Sequence, residues 1–282
     1  MIDLHTHTTA SDGSLSFEEL VAEAKAAGLK AIAITDHDTI MSAVKITGKE
    51  PMEVIPGIEL SIFDKNYMDI HILGLYIDPK DGDLTKKLKS IKTERENQKK
   101  AIIAKLKELR YEIPFEEVKA KAKGSIGRPH IAQVLVEKYP NDFPSVQSAF
   151  DKLLGNGKPA YVDRPIGFSL KEAISLIHSA GGVAFLAHPF IYKYDLDQMV
   201  ADFEYADGDG LEVFYDYITN MPEANLNEAQ NEEHVAHVRA LASVGGFLMS
   251  GGSDFHGAAK GQKLGAFGAP DEILDKIKAE IE

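Results

Sequence analysis

The stretch AIAITDHD, from Ala31 to Asp38, indicates the fold class of this chain. Its four apolar residues, Ala31–Ile34, are typical of a buried strand, and ionisable residues follow directly at the end of that strand. In α/β proteins, the carboxyl ends of strands form the edge of the sheet at which ligands bind. This stretch therefore predicts an α/β protein with a functional site at the ends of its strands.

Short apolar runs and amphipathic stretches alternate on both sides of this strand. Ser16 is placed to cap a helix over residues 17–27, and Ser169 is placed to cap another that runs to Ala180. Such alternation favours a mainly parallel sheet covered by helices. Strands are predicted at 2–4, 31–34, 52–60, 70–77, 182–187, 211–214 and 246–249, and further helices at about 223–243 and 271–281.

A long segment without strand signals interrupts this alternation. Lys and Glu are frequent over residues 84–109, where apolar residues recur at helical spacing, and we interpret the Lys-rich run as a solvated helix face. We predict a helical insertion subdomain over 79–157, between the two parts of an α/β domain formed by 1–78 and 158–282. Shorter helices of the insertion are predicted at 115–122, 129–137 and 145–154.

Composition narrows the classes of function. The 282 residues include 31 Lys and Arg against 44 Asp and Glu, and the net charge of −13 argues against a non-specific nucleic-acid binder. Cysteine is absent, which excludes disulfides, iron–sulfur clusters, Cys-type zinc sites and a cysteine nucleophile. The start, MIDLHTHTTASDG, lacks signal-peptide character, and no apolar run approaches the roughly 18 residues of a membrane span. We therefore expect a cytoplasmic protein without membrane contact.

Six groups of histidines and acidic residues lie at the ends of predicted strands or in adjoining loops. Residues i and i+2 of an extended segment point to the same side, so His5 and His7 can reach one metal ion, and Asp254 and His256 repeat this spacing. Each group alone has a structural explanation, such as a helix cap or a buried histidine, but no single explanation covers all six. The candidate ligands are His5, His7, Asp12, His37, Glu59, His71, His188, Asp254 and His256.

The chemistry of these side chains indicates the kind of metal centre. Imidazoles and carboxylates without a thiolate suit Mn, Fe or Zn at a hydrolytic site. Nine ligands are too many for one ion and suit a cluster of two or three, which can hold the attacking and the leaving oxygen of a displacement. We expect two or three divalent ions, with manganese first and iron or zinc as alternatives.

Read in chain order, the six groups make the sequence resemble the PHP family, named for polymerase and histidinol phosphatase domains. That family shows an initial H-x-H, a T-D-H-D, a G-x-E, an internal histidine, an A-H-P and a terminal S-D-x-H. The resemblance implies a distorted barrel of about seven β/α units, a (β/α)7 barrel, with a trinuclear metal centre held by the nine candidate ligands. The matching stretches are His5–His7, Thr35–Asp38, Gly57–Glu59, His71, Ala187–Pro189 and Ser253–His256.

Two short stretches in and beside the predicted insertion indicate which subfamily of PHP proteins the sequence resembles. Gly127–Ala132 and Gly157–Val162 are similar to segments of small PHP phosphoesterases that act on nucleotides, the 3′,5′-nucleotide bisphosphatases and the 5′→3′ exoribonucleases. This implies hydrolysis of a phosphomonoester in a 3′,5′-nucleotide bisphosphate or at the 5′ end of a short RNA, with no stable protein partner. The alternatives are a small-molecule phosphatase of the histidinol-phosphate type and a non-catalytic PHP structural module.

For this chemistry we expect a hydroxide that bridges two metal ions to attack phosphorus. Arg128 is the expected phosphate-binding cation, because a planar guanidinium can bind two phosphate oxygens. Asp36 and Asp38 are expected to orient metal-bound histidines, and the leaving-group acid stays open. The expected catalytic residues are His188, Asp254 and Arg128, and the expected substrate contacts are Arg128, His130, Lys158 and Tyr161.

Overall fold

The computed structural model describes residues 1–48, 52–122, 126–165, 167–258 and 261–281. The chain forms two compact units, of which the first comprises Met1–Lys86 and Gly167–Glu282 and the second comprises Lys87–Ile166. The division into folding domains at residues 79 and 157 stays a prediction. Among the helices of the described residues, none is both long and apolar enough to cross a membrane.

The first unit is built on one sheet whose strands neighbour one another in chain order. The pairings β1–β2, β4–β5 and β5–β6 are parallel, whereas β3 runs antiparallel to both of its neighbours. The prediction of an α/β protein is confirmed. The strands are β1 (Ala31–Ile34), β2 (Glu53–Phe63), β3 (Met68–Leu75), β4 (Val183–Leu186), β5 (Gly210–Tyr215) and β6 (Leu248–Gly252).

The reversed direction of β3 has a local cause. Asp64 Oδ1 accepts hydrogen bonds from the backbone N–H groups of Asn66 and Tyr67, at 2.8 and 2.9 Å, and closes a tight turn after β2. A turn this short can join antiparallel strands only, because a parallel pair needs a crossover of a dozen or more residues. The sheet is therefore mixed, unlike the mainly parallel sheet that the alternation favours.

Residues 2–4, predicted as a strand, form isolated bridges rather than a full strand. Asp3 donates its N–H to Ala31 O and accepts from Ala33 N, so it pairs with β1. Leu4 donates its N–H to Gly251 O of β6 at 3.1 Å. This segment therefore contacts both end strands of the sheet and brings the H-x-H motif beside their carboxyl ends. The count of seven β/α units stays a prediction.

The helices of the first unit begin close to the predicted positions. Ser16 Oγ accepts from Glu19 N, and the Glu19 carboxylate accepts from Ser16 N at 2.8 Å, which is the reciprocal pattern of a capping box. Apolar side chains from the sheet and the helices fill the core between them. The helices of both units are α1 (Phe17–Ala26), α2 (Gly82–Glu108), α3 (Phe115–Lys121), α4 (Arg128–Lys138), α5 (Val146–Ala149), α6 (Leu170–Ser179), α7 (Leu196–Tyr205), α8 (Tyr217–Asn220), α9 (Glu228–Gly245) and α10 (Glu272–Ile281).

The second unit is helical and has its own core. The predicted helix over 145–154 is present as the short helix α5 followed by a π-helical turn, Phe150–Leu154. The segment 161–163 runs along α2, because Gln98 Nε2 donates to the carbonyl oxygens of Val162 and Asp163, both at 2.9 Å. The core is formed by buried side chains of α2, α3, α4, α5 and the π-helical turn, among them Ile102, Leu106, Val118, Ile131, Leu135, Ala149 and Leu154.

Candidate metal centre

The H-x-H motif places two fully buried imidazoles against the same pair of carboxylates. His5 Nε2 lies 3.2 Å from Glu59 Oε2 and 3.4 Å from Asp254 Oδ1. His7 Nε2 lies 3.2 Å from the same oxygen of Glu59 and 3.1 Å from Asp254 Oδ1. The i, i+2 spacing thus puts both rings on one side of an extended segment, as the sequence predicts. Together the four side chains could hold one metal ion.

Glu59 lies at the centre of the cluster, and its two carboxylate oxygens face different groups of histidines. Oε2 faces His5 and His7, and it also lies 3.0 Å from His37 Nδ1. Oε1 lies 2.8 Å from His71 Nδ1 and 3.0 Å from His188 Nε2. The carboxylate is fully buried, because Glu59 stands in β2 between strands of the sheet. This arrangement suits a carboxylate that bridges two ions.

A further group of ligands lies at the more open side of the cluster. Asp12 Oδ1 is 3.2 Å from His256 Nε2 and 3.9 Å from His7 Nδ1. With His37, these side chains form another set whose ligand atoms all lie within 4.8 Å of one another. The side chain of Asp12 is 54% exposed, so this edge of the cluster is open to solvent. The structure therefore brings all nine predicted ligands together.

The hydrogen bonding of the cluster fits a bound cation. Native proteins pair nearly all of their buried polar groups. Here, five imidazole nitrogens and one carboxylate oxygen are buried without a hydrogen-bond partner among the described residues. Imidazole and carboxylate donors are those of Mn, Fe and Zn sites, so the residues present fit a cluster of divalent metal ions. The atoms are His5 Nε2, His7 Nδ1, His7 Nε2, His37 Nδ1, His71 Nδ1 and Glu59 Oε2.

The charge balance of the cluster also favours a cation. Burial alone would raise the pKa of Glu59 and of Asp254, yet the neighbouring histidines hold both pKa values well below their usual ranges. Burial lowers the pKa of His37 to about 4, so that its ring is neutral and offers a lone pair. Burial opposes protonation of His7 too, but Asp254 and Glu59 raise its pKa to about 9. A metal ion would therefore displace a proton when it binds.

Glu212 is a buried partner of this cluster that the spacing of the motifs does not predict. Its Oε1 lies 3.0 Å from His5 Nδ1, and its Oε2 accepts the backbone N–H of His188 at 2.7 Å. The available signal in the sequence is a glutamate inside the apolar run Leu211–Phe214. The sequence does not show which candidate ligands this carboxylate contacts, because those contacts depend on the order of the strands in the sheet.

Two tyrosines hold ligands of the cluster in place. Tyr215 donates its hydroxyl to Asp254 Oδ2 at 2.8 Å. The hydroxyl of Tyr192 accepts the backbone N–H of His71 at 2.8 Å and lies 3.0 Å from His188 Nδ1. These contacts fix ring and carboxylate orientations, which is the usual role of groups around metal ligands.

The expected role of Asp36 is not what the structure shows. Its oxygens accept from Thr8 N, Thr8 Oγ1 and Ser11 Oγ at 2.7–2.8 Å, so it holds the loop that follows the H-x-H motif. Asp38 Oδ1 accepts from Ser61 N at 2.9 Å. The Asp36 carboxylate therefore binds a backbone N–H and two hydroxyl groups.

The cluster opens into a cavity of about 570 Å³. That volume is within the range of pockets that hold small ligands. Lys193, a cation that the sequence motifs do not single out, lies on the wall. The lining residues are His37, Glu59, Met68, Asp69, His71, His188, Ile191, Tyr192, Lys193 and Asp254.

The predicted substrate contacts lie in the second unit. Arg128 begins α4, donates from Nη1 to Leu154 O at 3.2 Å and stacks over the ring of Tyr161, with Cζ 5.5 Å from the ring centre. His130 Nδ1 accepts the N–H of Gly127 at 2.9 Å and so caps the helix to which it belongs. Lys158 is exposed. The structure thus brings Arg128 and Tyr161 together, and contact of these residues with substrate stays a prediction.

Comparison with known proteins gives consistent matches. Residues 3–158 match the model of the PHP domain. The 5′-3′ exoribonuclease Rnm of Escherichia coli K12 is 37% identical over 266 residues, which are 90% of this chain and 84% of the relative. A 3′,5′-nucleoside bisphosphate phosphatase of Chromobacterium violaceum is 30% identical over 268 residues, 92% of this chain and 88% of the relative. A solved structure of an amidohydrolase from Chromobacterium violaceum, with bound sulfate and no metal, has a TM-score of 0.73 at 28% identity and covers 99% of this chain and 96% of its own.

Proposed function

Since this chain belongs to the PHP family and is a metal-dependent phosphoesterase, we propose that it hydrolyses a phosphomonoester of a nucleotide. The proposed substrates are a 3′,5′-nucleotide bisphosphate and the 5′ end of a short RNA. These are the substrate classes in the names of the phosphatase from Chromobacterium violaceum and the exoribonuclease from Escherichia coli. The observation that carries the proposal is the set of ligand atoms around Glu59 that have no hydrogen-bond partner in the described part of the chain, beside a cavity of about 570 Å³. A cavity of that size suits a nucleotide.

The overlapping ligand sets around Glu59 support two or three divalent ions, of which manganese is our first expectation. When bound, such ions polarise the phosphoryl oxygens and lower the pKa of bound water toward ~7. Glu59 and Asp254 would balance the charge of the ions, and the histidines would fix their positions. His188 is held on both ring nitrogens, at 3.0 Å from Glu59 and 3.0 Å from Tyr192, which favours a ligand role over proton transfer.

Cations of the chain would bind the phosphate oxygens on which charge develops during the reaction. Lys193 is on the wall of the cavity, and Arg128 presents a planar guanidinium that can bind two oxygens. Tyr161 lies against Arg128 and limits its rotation. We assign phosphate binding in the cavity of the first unit to Lys193. For the second unit we keep the prediction that Arg128 binds a phosphate and that Tyr161 contacts the base. His130 is assigned to support of the Arg128 helix.

The test is phosphate release in Mn²⁺ from adenosine 3′,5′-bisphosphate, histidinol phosphate and a 5′-phosphorylated RNA oligomer, with product analysis of the RNA. Turnover of the bisphosphate supports the proposal, and nucleoside monophosphates released from RNA extend it to an exonuclease. Turnover of histidinol phosphate alone would contradict the nucleotide assignment and leave the metal chemistry intact. Protein that binds metal but hydrolyses none of the three would contradict the proposed substrate class.

A further inference from the structure

Gln262 is a buried glutamine beside the loop that carries the last two candidate ligands, Asp254 and His256. It is 6% exposed, and its side-chain amide makes three hydrogen bonds. Oε1 accepts the backbone N–H of His256 at 2.6 Å. Nε2 donates to the carbonyl oxygen of Asp254 at 2.7 Å and to Oδ1 of Asn220 at 2.6 Å. Gln262 therefore holds the backbone of both ligands at once.

Asn220, at the end of α8, supports this glutamine from its other side. Its Nδ2 donates to the carbonyl oxygens of Asp216 and Ser253, at 3.0 and 3.2 Å, which leaves Oδ1 to accept from Gln262. Asp216 follows β5 and Ser253 follows β6, and these two strands are adjacent and parallel. The pair of amides thus joins the carboxyl ends of two neighbouring strands.

The backbone of Asp254 requires such support. Its φ is 52°, in the left-handed region that residues other than glycine adopt at a cost in free energy. In this conformation its carboxylate lies 3.1 Å from His7 Nε2, while its carbonyl oxygen accepts from Gln262. Strained residues persist only where the surrounding contacts hold them, and they concentrate at functional sites. The amides of Gln262 and Asn220 provide contacts of this kind.

The carbonyl oxygen of Asp254 also contacts the ring of His256. His256 Nδ1 lies 2.7 Å from this oxygen, and its Nε2 lies 3.2 Å from Asp12 Oδ1. A carbonyl oxygen accepts hydrogen bonds, so the contact favours the ring form that carries a proton on Nδ1 and leaves Nε2 for a metal ion. Asp12 and His256 belong, with His7 and His37, to the ligand set at the open edge of the cluster. The direction of this one carbonyl therefore bears on the ion of that set.

We propose that Gln262 is a positioning residue for the ion of this open ligand set, and that Asn220 holds Gln262 in the orientation this role requires. Gln262 fixes the carbonyl of Asp254, which in turn orients the ring of His256 toward Asp12. Loss of a contact that orients a metal ligand typically lowers metal affinity about 10–100-fold. The inference rests on the proposed binding of two or three ions, and it does not depend on the identity of the substrate.

The experiment is calorimetric titration of the full chain, freed of metal with a chelator, with Mn²⁺ at pH 7. His256→Ala removes a ligand of the open set and so identifies the binding step of that ion. We expect Gln262→Met, which keeps a long side chain but removes the three hydrogen bonds, to weaken the same step about 10–100-fold and to leave the other steps unchanged. The matched control is Gln133→Met, at an exposed position of α4, which should bind Mn²⁺ as the wild type does.

Asn220→Ala, at a half-buried position, is a second variant that tests the proposal if Gln262→Met fails to fold. It should weaken the His256-dependent step in the same direction, because Gln262 then loses its support. Unchanged Mn²⁺ affinity at that step in the folded variants would overturn the positioning role. Equal weakening of every binding step would overturn it as well, since the substitution would then have loosened the whole cluster.

A second measurement observes the ring of His256 directly. ¹⁵N NMR of the metal-free protein shows which ring nitrogen carries the proton when the ring is neutral, and His256→Ala assigns the signals by their loss. We expect the proton on Nδ1 in the wild type and a mixture of both ring forms in Gln262→Met. A general loss of stability would not produce this change, and the same ring form in both proteins would contradict the proposed link through Asp254.

The outcomes also separate this proposal from the proposed function. Mn²⁺ binding with one Gln262-dependent step, in a protein that hydrolyses no nucleotide, would contradict the proposed substrate class and leave the role of Gln262 standing. A wild type in which no Mn²⁺ step depends on His256 would contradict the proposed ligand set, and the role of Gln262 with it.

Discussion

The Glu212 carboxylate lies 3.0 Å from Nδ1 of His5, and both side chains are fully buried. A carboxylate oxygen accepts hydrogen bonds, so this contact favours the ring form of His5 that carries a proton on Nδ1 and leaves Nε2 for a metal ion. His5 Nε2 is directed toward Glu59 and Asp254, where the candidate ligand atoms converge. We therefore propose that Glu212 is a positioning residue, which favours the ring tautomer of His5 needed for metal binding.

The first prediction concerns this carboxylate. Glu212→Gln can donate to Nδ1 and so favours the wrong tautomer of His5, and we expect Mn²⁺ affinity to fall about 10–100-fold. Calorimetric titration of the metal-free protein with Mn²⁺ measures the change. Glu233→Gln, at an exposed position on α9, is the control. Equal Mn²⁺ affinity in Glu212→Gln and wild type would show that the contact does not orient His5.

A second prediction concerns the central carboxylate. Glu59→Gln removes the charge shared by His5, His7, His37 and His71, so we expect at least one bound ion to be lost. Phosphate release should fall by about two or more orders of magnitude. Metal content per chain and turnover in Mn²⁺ are the measurements, with circular dichroism to verify the fold. Full activity at wild-type metal content would rule out a bridging role for Glu59.

Metal removal should lower thermal stability. The buried nitrogens of His5, His7, His37 and His71 have no hydrogen-bond partner among the described residues, so a bound ion satisfies them in the folded state alone. An ion at about 100 times its dissociation constant stabilises the folded state by about 2.7 kcal/mol. We expect Mn²⁺ to raise the unfolding midpoint of wild type by several degrees and that of His5→Ala by much less. An equal rise in both proteins would place the stabilising ion elsewhere.

The depressed pKa of Lys99 predicts that its removal stabilises the protein. Burial and the nearby arginines lower that pKa from 10.5 to about 8, so the unfolded chain holds the proton more tightly than the folded chain between these pH values. Lys99→Met should therefore raise the free energy of unfolding by about 1–3 kcal/mol at pH 7. This advantage should decline as pH rises from 8 to 10.5, because the wild-type lysine then loses its proton in the folded state.

Denaturant unfolding of both proteins at pH 7 and pH 10 checks this prediction. Lys100→Met serves as the control, because its side chain is exposed and its removal should change the free energy of unfolding little. A variant less stable than wild type at pH 7, or a difference independent of pH, would show that the charge of Lys99 is well tolerated in the fold.

The last prediction concerns Arg128. Its loss removes paired N–H donors from phosphate binding, and we expect kcat/KM for the bisphosphate to fall about 10–100-fold in Arg128→Ala. Steady-state phosphate release in Mn²⁺ measures this, with Arg110→Ala, at an exposed position, as the control. An unchanged kcat/KM would remove Arg128 from the substrate site.

Most candidate ligands of the metal centre can be predicted from the sequence, because they follow a strand or lie in a local motif. His5 and His7 share a side of one extended segment, and His37 follows the apolar run of β1. The residues that hold these ligands in position cannot be predicted from the sequence in the same way. Glu212 meets His5 across more than 200 positions of the chain, and the pairing of strands alone determines that contact.

The sequence by itself determined the α/β class, the helical insertion and the identity of the nine candidate ligands, because these depend on local periodicity and residue spacing. The tertiary structure decided the antiparallel course of β3, the roles of Asp36 and Glu212, and the burial of Lys99 in a helix whose Lys-rich pattern suggests a solvated face. These features depend on which distant segments pack together. Burial and the charges of neighbouring residues, which no local pattern encodes, then set the hydrogen bonding and pKa of each group.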